Sequence, residues 1–447
     1  MPVFRHVLGN NLVANITNYT VWFALTFWVY LETRSVFATG MIAGIYLALT
    51  AGLGFWLGSL VDHHRKKRVM MASSAVSFVL YGAALVMLLL VPDERLRVVA
   101  AAPLWIFIWL VMLGVIAGNS RTIALPTLVT LLVPAERRDR ANGLVGMVTG
   151  FGFLTTSAIS GFLVAWGGML YALALAMALS AAAFAHLAWV PLVEPEPGAA
   201  DAGEGPEGET APRVRRVDIA GTIRVIAAVP GLFALIFFAS FNNFLGGVFM
   251  ALLDAYGLSL MPVQAWGLLW AVVSCAFILS GIVIARAGLG ARPLRTLLLA
   301  NLAMWTTAAI FTVQSSVPLL AAGCLIWLFL SPYAEAAEHT TLQRVVPYER
   351  QGRVFGFAQS VEQAASPLTA FLVAPLTQFL VIPFMTSGAG AAAIGDWFGR
   401  GPERGIALVF TIAGLIGVAV TVLALNSRQY RQLSAAYAEA PDPGAGG

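Results

Sequence analysis

The chain has 447 residues, 59% of them apolar and only 11% charged, with a net charge of +4. A soluble globular domain is nearer half apolar and a quarter charged, so this composition excludes one. The mean hydropathy of +0.82 agrees, and the basic residues sit in short runs between apolar segments rather than in a patch suited to nucleic acid.

A bilayer crossing takes about 20 apolar residues, and helix is the only option for separate spans because lipid offers no partner to open backbone groups. Apolar blocks predict the first six spans near 11–31, 39–61, 69–91, 104–125, 143–166 and 168–190. Met1 to Asn11 carries Arg5 and His6 and runs into a full span with no small-residue cleavage site, which reads as a retained first helix. From Glu194 to Pro212, 14 of 19 residues are Pro, Gly or acidic, followed by Arg213, Arg215 and Arg216. Such a segment cannot bury a core and is expected to be a flexible linker. The second six spans are expected near 230–253, 264–285, 295–313, 317–338, 355–376 and 404–425. The end of the chain is Ala/Pro/Gly-rich and is expected to be loose after Tyr437. The resulting organisation is a six-helix bundle over 1–190, a linker over 191–222, a second bundle over 223–430 and a tail over 431–447.

Orientation follows from the cations. With the N-terminus cytoplasmic, 20 of 26 Lys and Arg fall inside and five outside (Arg34, Arg95, Arg97, Arg400 and Arg404), leaving Arg121 within a span. That imbalance places both termini and the linker in the cytoplasm of a plasma-membrane protein. The halves also repeat. Val133-Pro134-Ala135-Glu136-Arg137-Arg138-Asp139-Arg140 recurs 213 residues later as Val346-Pro347-Tyr348-Glu349-Arg350-Gln351-Gly352-Arg353, each copy after the fourth span of its half. Two parallel six-helix repeats around a midplane site are a transporter plan.

The loop after the second span reads Gly58-Ser59-Leu60-Val61-Asp62-His63-His64-Arg65-Lys66-Lys67-Arg68. Gly58 lets helices approach closely, Asp62 suits the positive end of a helix, and Arg65, Lys66, Lys67 and Arg68 hold the loop at a cytoplasmic surface. This resembles the conformational-switch loop of the major facilitator superfamily, with His63 where the family has Arg and Arg65 where it has Gly. The second-half equivalent, Gly281 to Arg292, keeps the glycine and basic residues but has Ala285 in place of the Asp. The resemblance covers almost the whole chain and implies an all-α membrane fold of twelve helices in two six-helix bundles. The loops Pro134 to Asn142 and Pro347 to Arg353 look like those of bacterial drug–proton antiporters of the macrolide and tetracycline multidrug efflux group. Span five has the small residues of that group (Gly143, Gly146, Gly150, Gly152, Gly161), but Thr156-Ser157 stands at its Gly-Pro position, and span eleven has Ser366-Pro367.

Polar groups inside the spans nominate the site. Asn11, Asn15, Asn18 and Trp22 recur at spacings of 4, 3 and 4, one helix face, and suit a cavity that stacks on and hydrogen-bonds diverse amphiphiles. Asn242 and Asn243 occupy the matching part of the second half. Arg121, one turn from the end of span four, is a candidate cytoplasmic gate opposite Glu335, Glu338 and His339 in span ten. Glu32 and Asp254 end spans one and seven at matching places. His186 is expected to be a satisfied buried histidine, and Cys275 and Cys324 to be two buried thiols. A carboxylate within a span costs at least about 2–3 kcal/mol even on the lenient insertion scale, so it marks function. Glu362, two turns into span eleven between Val361 and Gln363, is the leading proton-coupling candidate, with Glu335, Glu338 and Asp254 behind it.

The only lysines, Lys66 and Lys67, follow no Gly-rich phosphate loop, which argues against an ATP site. No nucleophile–base spacing, metal-ligand cluster or channel filter is recognisable, so no enzyme activity, cofactor or metal is expected. The reading is a monomeric secondary transporter in the lipid bilayer, exporting amphiphilic small molecules or drugs against protons by alternating access, with no nucleic-acid partner. A lipid or lysolipid flippase of the same fold competes with it. From another class, so does a non-transporting membrane sensor, although the repeats and the intramembrane carboxylate argue against a scaffold.

Overall fold

The computed structural model describes residues 2–132, 138–192, 219–290, 292–346 and 348–440. The segment 194–212 with Arg213, Arg215 and Arg216, the loop residues 133–137 and the chain from 441 lie outside the described residues, as do the side chains of Asp62 and His63. Every regular element among the described residues is helical.

The chain divides into two compact units, Met1–Pro206 with Gly257–Ser274, and Glu207–Tyr256 with Cys275–Gly447. In the first unit, α1 (Pro2–Thr33) packs against α5 (Ala102–Leu132) and α6 (Arg138–Trp189), and α3 (Lys66–Leu90) lies against the same two helices. Helix α2 (Val36–His63) joins them along α5, and α4 (Asp93–Leu96) is a single turn in the loop before it. The tight corner between α1 and α2 places Arg34 at φ 51°, and the Ser35 hydroxyl caps α2 by accepting from the Ala38 amide at 3.1 Å.

The apolar stretch Phe151–Trp189 of α6 is 39 residues long, about 58 Å of helix, far more than a ~30 Å hydrocarbon core accommodates. It breaks at Gly168, whose φ of 58° and ψ of −150° are open to glycine and strained for other residues. One continuous helix by hydrogen bonding is thus two crossings, as the gap between 166 and 168 in the apolar pattern predicts. Nine helices among the described residues are long and apolar enough to span, and Val36–Thr50 is a shorter apolar helix.

The unit boundary differs from a division at the central linker alone, because the end of α8 (Leu232–Leu260) and the first half of α9 (Val263–Ala287) belong with the first unit. The cause is backbone proximity. A Cβ on Gly161 would sit 2.7 Å from the Val263 carbonyl oxygen, and one on Gly267 would strike that of Ser157. Two facing glycines let α6 and α9 approach more closely than any larger residue allows.

In the second unit, α10 (Pro293–Ile310) packs between α11 (Val317–Val345) and α15 (Pro402–Asn426). Helix α12 (Tyr348–Leu376) continues through a π-helical turn, Thr377–Val381, into α13 (Ile382–Thr386). It therefore starts well before the expected residue 355, and Glu362 lies four turns into it rather than two.

Besides the short α4 and α13, three longer helices were not expected. Helix α7 (Ile219–Ala228) straddles the expected linker boundary at 222, α14 (Ala389–Phe398) fills the gap between the last two spans, and α16 (Arg428–Glu439) replaces most of the expected tail. The short amphipathic pieces α7 and α16 lie below the length that marks a span, and only tertiary packing stabilises them. Leu433 of α16 is buried with Ile226 of α7, Leu232, Leu294, Leu342 and Val346. Arg344, in the last turn of α11, lies 4.7 Å from the centre of the Tyr437 ring and donates to the Ala440 carbonyl at 3.4 Å.

Candidate functional site

A cavity of about 540 Å³ lies inside the second unit, within the range of small-molecule sites. Four helices build its walls. Helix α8 contributes Asn242 and Asn243, α10 contributes Asn301, Met304 and Trp305, α11 contributes Trp327, Glu335, Glu338 and His339, and α12 contributes Gln359, Glu362, Gln363 and Ser366. No lysine or arginine is among these described lining residues.

The polar walls are braced by their own backbones. The Asn242 amide donates to the Phe238 carbonyl at 2.7 Å, and its oxygen accepts from the Trp305 indole at 2.5 Å. The Ser366 hydroxyl donates to the Asn243 carbonyl at 3.0 Å, beside a point where a Cβ on Gly247 would lie 2.7 Å from the Ser366 carbonyl oxygen. Helices α8 and α12 are therefore in backbone contact along this wall. Behind Asn242, Trp305, Trp327 and Phe249 pack with ring centroids 4.9–6.1 Å apart, and Phe410 stacks on Phe249 at 4.8 Å.

The carboxyl groups of Glu338 on α11 and Glu362 on α12 approach each other at the cavity, with Glu335 and His339 close enough to act on them electrostatically. An ionised carboxylate only accepts hydrogen bonds, so two carboxyl groups can bond to each other only when one of them carries a proton. Three of the four predicted coupling residues thus meet at one cavity. The fourth, Asp254, lies on α8 beside Cys324 of α11 and is not among the cavity's described lining residues.

The polar face of α1 does not form one cavity wall. Asn11 is buried and its side-chain oxygen has no hydrogen-bond partner among the described residues. Asn15 packs near Gly152 of α6, Trp22 stacks on Tyr46 at 4.3 Å, and Asn18 lines a small cleft beside Arg121. Arg121 itself is only 1% exposed. It donates to the Asn10 side-chain oxygen at 2.6 Å, to the Met70 carbonyl at 2.8 Å and to the Ser74 hydroxyl, all within the first unit. Its long side chain reaches inward to these oxygens rather than out to a surface.

Other expectations are corrected. Arg404, counted among the outside cations, is 2% exposed and donates to the carbonyls of Phe398 and Val313 at 2.5 and 2.7 Å and to the Ser315 hydroxyl at 3.2 Å. Glu32 pairs with Arg97 at 2.6 Å. His186 is exposed and sits 3.2 Å from the Asn10 amide, and Cys275 is exposed while Cys324 is buried. In the switch loop, Lys67 donates to the Val190 carbonyl at 2.7 Å and the Ala188 carbonyl at 3.3 Å, pinning the start of α3 to the end of α6. Sequence reasoning missed Asn10 and the indoles of Trp305 and Trp327, because neither an amide outside the Asn11–Asn15–Asn18 spacing nor a tryptophan in an apolar run stands out without its neighbours.

Long apolar helices around a polar cavity suit a carrier, and residues 7–370 match the family model of the Major Facilitator Superfamily. The chain belongs to that superfamily. It is a multi-pass membrane transporter, not an enzyme. No curated protein matches it by sequence. Among solved structures of superfamily fold, it is similar to a bacterial homologue of the human lysosomal transporter Spinster, inward-facing and unoccupied, at 15% identity and a TM-score of 0.66 over 99% of both chains. A D-xylose–proton symporter superposes with a TM-score of 0.62 at 14% identity, covering 94% of this chain and 98% of that one. The nucleoside transporter NupG gives 0.66 at 11% identity, covering 96% and 100%. At such identities the likeness shows the fold alone.

Proposed function

We propose that this superfamily member is a proton-coupled exporter of cationic amphiphilic small molecules, working by alternating access in the plasma membrane with both termini cytoplasmic. The observation that carries the reading is the acid-lined cavity. Its aromatic walls offer stacking surface, its amides offer hydrogen bonds, and the Glu338–Glu362 pair holds a proton that a cationic substrate can displace. Exposure to the acidic side loads the pair with a proton. Exposure to the cytoplasm releases it and leaves negative charge for the next cation. The twenty-to-five division of basic residues supports the orientation.

The test uses inverted membrane vesicles and a fluorescent cationic amphiphile. Glu362→Gln and Glu338→Gln should each lower uptake driven by a pH gradient at least tenfold while leaving substrate exchange without a gradient largely intact. Full gradient dependence in both variants would overturn the coupling role. Absence of amphiphile transport by the wild type, alongside a protein-dependent change in membrane lipid composition, would favour a lipid flippase.

A further inference from the structure

The amides that line the acid cavity have fixed orientations. The side-chain nitrogens of Asn242, Asn243 and Asn301 donate to carbonyls one turn back on their own helices, those of Phe238, Ala239 and Leu297, at 2.7, 3.2 and 3.0 Å. A backbone carbonyl only accepts, so each amide turns its nitrogen toward the helix and its oxygen away. The Asn242 oxygen is taken by the Trp305 indole. The oxygens of Asn243 and Asn301 accept nothing from the described residues and are not sealed off from solvent. Both residues line the cavity, although Asn301 is only 6% exposed. With the carboxyl groups of Glu335, Glu338 and Glu362, these two oxygens make a wall rich in acceptors.

The aromatic lining is poorly placed to hold a charge that has no donors. A quaternary ammonium is recognised by the faces of several rings that enclose it. The aromatic side chains lining the cavity among the described residues are Phe238, Trp305 and Trp327. Phe238 is 9% exposed and Trp305 1%, and Phe249 stacks on Trp327 with ring centroids 5.2 Å apart. One free ring face can carry an aryl body but cannot cage an ammonium. Among the described residues no group of His, Cys, Asp or Glu has the arrangement to hold a metal ion, so an organic cation suits the acids better than a bare one.

We propose that the cavity selects protonated amines bearing N–H bonds, a primary aryl-alkyl ammonium above all, over quaternary ammonium ions of the same charge. The N–H groups donate to the carboxylates and to the oxygens of Asn243 and Asn301, while the aryl end stacks on Trp327. A quaternary ion brings the charge without the donors and leaves desolvated acceptors unmatched. This rests on the reading of the protein as a carrier of cationic amphiphiles and narrows its substrate class.

The test is isothermal titration calorimetry of the purified, detergent-solubilised protein at neutral pH with naphthylmethylamine and its mono-, di- and trimethylated forms. Every member of the series carries a single positive charge, and each methylation removes one N–H donor. Each methyl also adds apolar surface, so burial alone would tighten binding along the series, whereas the acceptor wall weakens it. Affinity should fall by about tenfold or more from the primary amine to the trimethylated ion, as expected when hydrogen bonds from a charged donor are forfeited. Asn301→Leu should raise the Kd of the primary amine by about fivefold or more and leave that of the trimethylated ion within about twofold. Asn243→Ala gives the same readout where Asn301→Leu fails to fold. Affinity that is level or rises with methylation, or an undiminished preference in both amide variants, overturns the inference and leaves export of cations standing. Absence of binding by every member of the series in the wild type overturns the cation-carrier reading itself.

Discussion

Arg404 offers the sharpest quantitative test of how the second unit is held together. The guanidinium joins three segments: it donates to the Phe398 carbonyl at the end of α14, and to Val313 and Ser315 in the turn after α10, from the first turn of α15. It also lies 4.3 Å from the centre of the Phe398 ring. Replacing it with methionine keeps most of the apolar stem but leaves two carbonyls and a hydroxyl without their donor. Hydrogen bonds from charged groups contribute about 1.5–3 kcal/mol each. They are not additive here, because relaxation and water recover part of the loss, so the expected cost is about 3–5 kcal/mol, typical of breaking a buried charged network. For a unit of roughly 200 residues, each kcal/mol shifts Tm by about 2–4 °C. Arg404→Met should therefore lower the midpoint by roughly 6–20 °C in a detergent thermal-shift assay followed by size-exclusion chromatography. Arg404→Lys should recover part of that, since an ammonium can meet one or two of the acceptors but not all three in the planar fork. A loss below about 2 °C for the methionine variant would show that the three contacts do not hold α14 and α15 together.

Asp62→Asn should cut transport strongly without lowering protein levels in the membrane, and His63→Ala should matter less, because His63 already departs from the superfamily loop pattern. Wild-type transport by Asp62→Asn in a whole-cell efflux assay would reduce the loop match to topology. Cysteines placed in the 194–212 linker should resist an impermeant thiol reagent in intact cells and react after permeabilisation, whereas labelling from outside would reverse the orientation. Leu433→Asp puts a charge into the cluster that docks α16 and should cost about 3 kcal/mol or more. Faster trypsin cleavage after Arg428 or Arg431 is the readout, and cleavage at the wild-type rate would refute that docking.

The membrane spans were legible because a bilayer leaves a chain few choices. Apolar runs of sufficient length must be helical, and their number, their repeat and the charge between them follow without knowledge of contacts. Even the break between the fifth and sixth crossings was visible in the sequence, since a run of 39 residues cannot cross once. The candidate coupling acids were legible for the same reason, because a carboxylate in an apolar run is conspicuous. Which of them meet was not. Glu338 and Glu362 share a contact because α11 and α12 line the same cavity, whereas Asp254, equally conspicuous in sequence, lies outside its walls. Likewise Asn11, Asn15 and Asn18 share a helical face yet have separate environments, because α5 and α6 partition that face among different neighbours. Helices α7 and α16 depend on a shared apolar cluster rather than on their own propensity, and Arg121 and Arg404 turn inward because buried oxygens await them. Linear sequence determines what the solvent demands of each segment, here lipid or water. Pairwise packing decides where polar groups find partners, since each partner lies on a different helix.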